Sequence, residues 1–424
     1  MKHLVFCLVL ATGLSGAPAR ALDAPLTLPA AIELALQRNP GLRAAAHEAA
    51  AQEGAIAQAG ALPNPELELL REGRERGNRT TTAQLGIPFE LGGKRAARVD
   101  AARRARALAL AGLETLRAQV RADTIAAFYD VVAADEAQRL AQELAALAGR
   151  ATAAAGRRAD TGKASPLEAT RARLAQSSLL IEAIGAAREL AAARTRLAAL
   201  VGFDSGSSPD GDPGPLAIAA PETIDAPPVL PLAQLVARLD EASELRRARA
   251  GVAHRSALVR VEQSRRMPDV TLLVGAQRET SAERPGEERR AVLGVSVPLP
   301  LFDRNGGAVL ESLRRVDQAR AELEAERVRL RAELAQAHGR LRASAEEAAL
   351  IRSEIVPGAE QAYGAANRGY GLGKFGLLDV LDAQRALVQS RHQYLKAVAD
   401  GYRALADIER LVGPLSREQP QEKP

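Results

Sequence analysis

Beyond its seventh residue this chain has no cysteine; the single one is Cys7. That absence excludes disulfides, thiolate metal sites and a thiol nucleophile from the rest of the molecule. Tryptophan is missing altogether, and aromatic residues make up only 3% of a sequence that is 47% hydrophobic, much of it alanine. So few large side chains cannot fill a wide core, and narrow, close-packed helical contacts suit this composition better. One-sided charge is lacking too: 57 basic and 52 acidic residues are interspersed and leave a formal charge of +5. Nucleic-acid binding would need a concentrated basic face with aromatics among it, and neither is present. The five histidines, His3, His47, His254, His338 and His392, show no metal-ligand spacing. No HExxH, phosphate loop or nucleophile motif occurs. The histidines read as helix-surface residues, and neither a catalytic role nor a cofactor is expected.

After the N-terminal stretch, no run approaches the roughly 20 apolar residues of a membrane-spanning helix. If the chain enters a bilayer, it does so as strands. Residues 1–21 have Lys2 and His3, an apolar run from Leu4 to Leu14, then Ala19-Arg20-Ala21. This is the layout of a secretory signal cleaved after Ala21. No cysteine stands at the cleavage point, so a lipid-anchored form is not expected.

The sequence is written twice. TGKASPLEATRA (161–172) matches LGKFGLLDVLDA (372–383), with Gly162-Lys163 opposite Gly373-Lys374, and the halves close on Val201-Gly202 and Val412-Gly413 without a change of register. Upstream, Pro65-Glu66 corresponds to Pro268-Asp269 and Ile87-Pro88 to Val297-Pro298. Residues 204–231 are rich in Pro, Gly and Asp, as an irregular connection should be. The expected organisation is a signal (1–21), a first repeat (22–203), the connection (204–231), a second repeat (232–413) and a tail (414–424).

Each repeat reads helix, two strands, long helix, turn, helix. The first helical pattern covers 28–62 with a break at Asn39-Pro40. Strand patterns cover 65–71, 79–91, 268–279 and 289–302. Residues 93–160 hold no proline and predict a helix on the order of 100 Å long; a second is expected over 306–370. Leu313, Val316, Leu323, Leu330, Leu334, Ala337 and Leu341 form a heptad seam, interrupted at Arg320 and Arg327. Ala83, Leu85, Ile87 and Phe89 oppose Thr82, Gln84 and Gly86, while Leu293, Val295, Val297 and Leu299 oppose Val292, Gly294 and Ser296. One face suits lipid and the other water. Four strands cannot close a barrel, for which about eight are the practical minimum. Open edges in lipid would leave several kcal/mol unsatisfied per backbone group, so copies must associate. Asp303 or Asn305 is placed to cap the helix that follows the last strand.

LTLPAAIELALQRNPGL, LPNPELEL, GVSVPLPLFDRNGG, GLGKFGLLDVLDAQRAL and IERLVG together resemble the TolC-type outer-membrane efflux factors. The PLPLFDRNGG corner is most similar to the cobalt-zinc-cadmium, heavy-metal branch. The resemblance implies a mainly α mixed α/β membrane protein. It also implies a homotrimer, each chain giving four strands to a twelve-stranded barrel in outer-membrane lipid and long helices to a periplasmic coiled-coil tunnel. Its implied partners are a periplasmic adaptor and an inner-membrane pump of the resistance-nodulation-division class. In such proteins the far helical turns meet the adaptor, which makes Gly162, Lys163, Ser165, Gly373 and Lys374 the candidate contacts; a tight turn alone also calls for glycine. Asp379 and Asp382 match acidic residues that line the narrow entrance, where a threefold axis makes each a ring of carboxylates facing cations. At a helix start they also suit the dipole. The first half has Glu168 and Arg171 there instead, which suggests an Arg171–Asp382 latch. Pro88, Phe89, Pro298 and Phe302 are expected at one membrane boundary. An exported, membrane-anchored coiled coil or adhesin without a channel is the alternative. It leaves the duplicated strand pair and the twin Gly-Lys turns unexplained.

Overall fold

A computed structural model describes residues 25–73, 79–162, 164–203, 218–219, 225–280 and 287–415. The expected signal (1–21), Lys163, most of the connection and the tail beyond Leu415 lie outside them.

The first expected helix is two. α1 (Leu28–Arg38) ends and α2 (Pro40–Ala59) begins across the single residue Asn39, whose backbone is extended at ψ 123°. Pro40 disfavours a helical conformation at the residue before it. The Asn39 side chain then caps α2, its Oδ1 accepting from Gly41 N at 2.8 Å and Leu42 N at 3.2 Å.

β1 (Glu66–Gly73), β2 (Arg79–Phe89), β3 (Val270–Thr280) and β4 (Glu287–Ser296) form one antiparallel sheet in the order β1-β2-β3-β4. Leu67 lies opposite Leu85, Leu85 opposite Val274 and Val274 opposite Leu293. Paired residues share a face, so this row and the next, Ile87, Leu272 and Val295, make an apolar surface that runs across all four strands. Leu67, Leu69, Leu293 and Val295 on it are 65–78% exposed. The other face carries Glu68, Thr82, Gln84, Gln277 and Arg290. Both outer strands present a free edge.

The halves meet at the centre of the sheet, where β2 of the first pairs with β3 of the second. Lys94 Nζ reaches Asp269 Oδ1 at 2.7 Å, and Leu91 N donates to the same oxygen at 3.3 Å. The corner after β2 is thereby fastened to the entry of β3.

Long helices continue from the sheet. α3 (Lys94–Asp160) is one helix of 67 residues, about 100 Å at 1.5 Å per residue. It returns as α4 (Pro166–Leu200). In the second half α5 (Leu232–Arg238) and α6 (Ser243–Ser264) precede the strands, and α7 (Gly306–Leu350), α8 (Val356–Gly371) and α9 (Leu377–Val412) follow them. Near the sheet the wall runs α2, α3, α6, α7; toward the far turns it runs α4, α3, α9, α8. Two main cores hold it together. One gathers Leu26, Val131, Leu197 and Val201; the other gathers Leu235, Leu330, Leu334, Leu341 and Ile408. Both lie where a repeat begins and ends.

Three expectations need correction. β4 stops at Ser296 rather than running to 302, because Pro298 and Pro300 cannot donate to a ladder. The helix expected over 306–370 is interrupted by one wide turn, Ile351–Ile355, with five-residue hydrogen-bond spacing. Pro357, inside the helix expected over 306–370, follows that turn; its missing N–H makes a continuous α ladder impossible there. Neither Asp303 nor Asn305 caps α7 through its side chain. Asp303 Oδ1 accepts from Asn305 N at 2.8 Å, and Asn305 Nδ2 donates to Glu262 O at 2.8 Å.

Candidate tunnel mouth and membrane corner

The two far turns bring most of the expected site residues to one end of the molecule. Each reverses at a glycine in the left-handed region, φ +70° at Gly162 and +76° at Gly373. An L side chain there costs about 1–2 kcal/mol. Ala164 N bonds Arg158 O at 3.1 Å in the first turn, and Lys374 N bonds Gly369 O at 2.8 Å in the second. Ser165 Oγ then accepts from Leu167 N at 3.2 Å and starts α4, with Pro166 in its first turn.

One side chain joins the hairpins. Arg158, near the end of α3, donates through Nη1 to Tyr370 O at 2.8 Å, and its guanidinium carbon lies 4.8 Å from the Tyr370 ring centroid. Burial pushes the Tyr370 phenol above its ordinary pKa; the neighbouring Glu168 carboxylate adds to the rise and Arg158 opposes it. Glu168 thus sits beside Tyr370, a neighbour the sequence motif did not indicate. Behind them Ala155, Ala172, Ala366, Leu377 and Val380 are buried. The outer surface of the turns is apolar: Leu167, Leu372, Phe375 and Leu378 are 51–73% exposed.

The acidic pair divides. Asp379 Oδ2 accepts from Gly376 N at 2.8 Å, holding the first turn of α9, the helix-start role that its position allows. Asp382 Oδ1 lies 3.1 Å from Arg385 Nη1 in an exposed pair. Among the described residues, Arg171 makes no ion pair with Asp382 within the chain.

At the sheet end the two corners differ. Pro88 and Phe89 remain in β2, opposite Thr271 and Val270. β1 pairs only as far as Gly86, so Pro88 lacks its N–H where β2 has no neighbour on that side. In the second corner the chain leaves β4 before Val297. Leu301 N bonds Leu299 O at 2.8 Å in a tight turn, and Phe302 stands 100% exposed.

A helical wall that grows from a half-apolar sheet with open edges has recognisable counterparts. The family model for outer membrane efflux proteins matches residues 31–203 and again 235–414. The chain belongs to the outer membrane efflux protein family. This efflux protein has relatives across most of its length. It is 43% identical over 95% of its residues, and 94% of the relative, to the cobalt-zinc-cadmium resistance protein CzcC of Cupriavidus metallidurans. It is 30% identical over 74% of its residues, and 72% of the relative, to the nickel and cobalt resistance protein CnrC of the same species. Among solved structures it is similar in fold to CusC (TM-score 0.74, 16% identity, 91% of this chain and 92% of that one). VceC from Vibrio cholerae is comparable (TM-score 0.73, 22% identity, 91% and 96%).

Proposed function

We propose that this efflux protein is the outer-membrane conduit of a three-component export system for heavy-metal cations, and that it performs no chemistry itself. The observation that carries the reading is the sheet. Its apolar face spans four strands, and its two free edges continue into a helical wall whose margins, α2 and α4 on one side and α7 and α8 on the other, are also open. Edge-to-edge association of three copies would close a twelve-stranded barrel and the tunnel beneath it in one step, leaving no unpaired strand in lipid. Metal cargo is supported by the likeness to CzcC and CnrC, proteins named for metal resistance. On this reading the apolar face meets outer-membrane lipid, and Pro88, Phe89, Pro298 and Phe302 mark its periplasmic boundary. On the same reading residues 1–21 direct export.

The turns bearing Gly162, Lys163, Ser165, Gly373 and Lys374 meet a periplasmic adaptor, which joins them to an inner-membrane resistance-nodulation-division pump. Their exposed Leu372 and Phe375 give that contact apolar area. At the mouth, Asp379, Asp382 and Glu168 would recur around the axis and favour cations, with Arg171 beside them as the latch. The Asp382–Arg385 pair, being exposed, is worth about 0.2–1 kcal/mol and would yield to a cation or to Arg171. Single-channel recording in planar bilayers tests this: Asp382→Asn should weaken block by cobalt or zinc added at the mouth side. Unchanged conductance in Arg171→Ala would remove the latch. Deletion of the gene followed by growth on graded cobalt, zinc and cadmium tests the cargo; unaltered tolerance to all three, with lost tolerance to organic compounds, would overturn it.

A further inference from the structure

The joint inside the sheet is a sample of the joint between chains. Within the chain, the corner after β2 is fastened to the entry of β3 by Lys94 and Asp269, 2.7 Å apart. The internal repeat supplies the same two parts again at the outer edges. Glu66, at the entry of β1, aligns with Asp269 through the shared prolines Pro65 and Pro268, and the corner after β4 aligns with the corner after β2. These two parts lie on opposite edges of one sheet and cannot meet within a chain.

Both are left wanting. Among the described residues neither Glu66 nor Arg304 has an ion-pair partner, and both are exposed. The second corner has Gly306-Gly307-Ala308 where the first has Gly92-Gly93-Lys94, so its cation is not in the helix but ahead of the glycines, at Arg304. Phe302 has no contact to cover it, and Leu299 and Leu301 are 73% and 66% exposed. On the opposite edge, a cleft of about 670 Å³ opens at the base of β1, lined by Ala55, Ala59, Leu62, Pro63, Glu90 and Arg98 among others. Leu62 on its rim is 69% exposed.

We infer that Arg304 of one copy pairs with Glu66 of the next, while Phe302 of the first enters the cleft beside Leu62 and Pro63 of the second. The heights agree. Arg304 and Phe302 follow the last paired residue of β4, Ser296, and Leu62 and Pro63 precede the first of β1, Glu66, so both flank the same end of the sheet. Opposite charge fixes the register and the aromatic ring supplies the buried area. The contact is head-to-tail, and repeated around an axis it closes a ring.

The inference rests on the cyclic assembly proposed above, and one experiment separates the two. With no cysteine after Cys7, Glu66→Cys/Arg304→Cys introduces the only thiols of the exported chain. Treated with a short bismaleimide in outer membranes, the double variant is expected to run as covalent dimers and trimers under denaturing conditions, whereas either single variant stays monomeric. A variant that is trimeric by native mass in detergent yet does not cross-link overturns the seam and leaves the assembly standing. A wild-type chain that is monomeric by native mass overturns both. Charge exchange gives a second reading: Glu66→Arg and Arg304→Glu should each lower the temperature at which the oligomer dissociates, and the two together should restore it. Failure of the exchange to improve on the poorer single variant overturns the pairing.

Discussion

Arg158 shows how much one side chain does at the mouth. It donates to the Tyr370 carbonyl and covers the Tyr370 ring, so it couples the α3–α4 hairpin to the α8–α9 hairpin without a large core. Arg158→Ala should remove about 1–3 kcal/mol of that coupling. The expected outcome in planar bilayers is more frequent or wider opening, with thermal unfolding of the whole protein little changed, because the main cores lie far from the turns. Asp123 makes a different prediction. Burial holds its carboxyl above the ordinary pKa, against the opposing Gln119 amide at 2.7 Å and Arg410. A raised folded value favours the protonated form, so the group adds stability below its unfolded pKa near 4 and loses that contribution as pH rises through the folded value. Asp123→Asn should therefore raise the melting temperature in detergent at neutral pH, and the gain should vanish on acidification below about pH 4. Neither residue drew notice in the sequence. The contacts of Arg158 join positions far apart in the chain, and the burial of Asp123 depends on α9 packing beside α3.

Among elements, the strands were the most legible and their ends the least. Period-two alternation gave both faces of β2 correctly, and those of β4 as far as Ser296, since cross-strand pairing leaves side chains no other choice; Val297 and Leu299, assigned to its apolar face, lie beyond the strand. The stop of β4 six residues early was also written there, in Pro298 and Pro300, whereas Pro88 could stay in β2 because its neighbour strand had already ended. The polarity of the faces is open to a direct test. Leu293→Arg places a cation on the apolar face, with a penalty of about 2–4 kcal/mol toward the bilayer centre. It should abolish accumulation in the outer membrane, measured by fractionation. Val292→Arg, one residue away on the other face, should accumulate normally. α3 was predicted almost to the residue, because nothing in it interrupts the helix. The wide turn at Ile351–Ile355 was not, although Pro357 just beyond it forbids a continuous α ladder. That turn has poorer hydrogen-bond geometry than α7 or α8, and its amides should exchange with deuterium faster than those of Leu330–Leu341.

For the whole molecule, every layer ends in an unfinished margin on the same two sides. Sheet and helices are all cut at matching places, as a segment of a closed wall would be. This was partly readable from sequence: four strands were too few to close, so association followed from the physics of lipid. Which parts meet across the margin was not readable, because the Lys94–Asp269 joint appears only once the halves are folded together. If the margins close three chains into a ring, the dissociation temperature should rise with protein concentration, while the melting of the helices within a monomer should not.

The Lys94–Asp269 joint also sets an order of events. It forms within one polypeptide, at a rate that dilution cannot slow, whereas the proposed joints between chains must await an encounter. A newly exported chain would therefore pass through an open four-stranded stage, a third of the proposed barrel, whose lifetime depends on how fast others arrive. Scarcity of chains, rather than slow folding, would then limit how quickly channels appear.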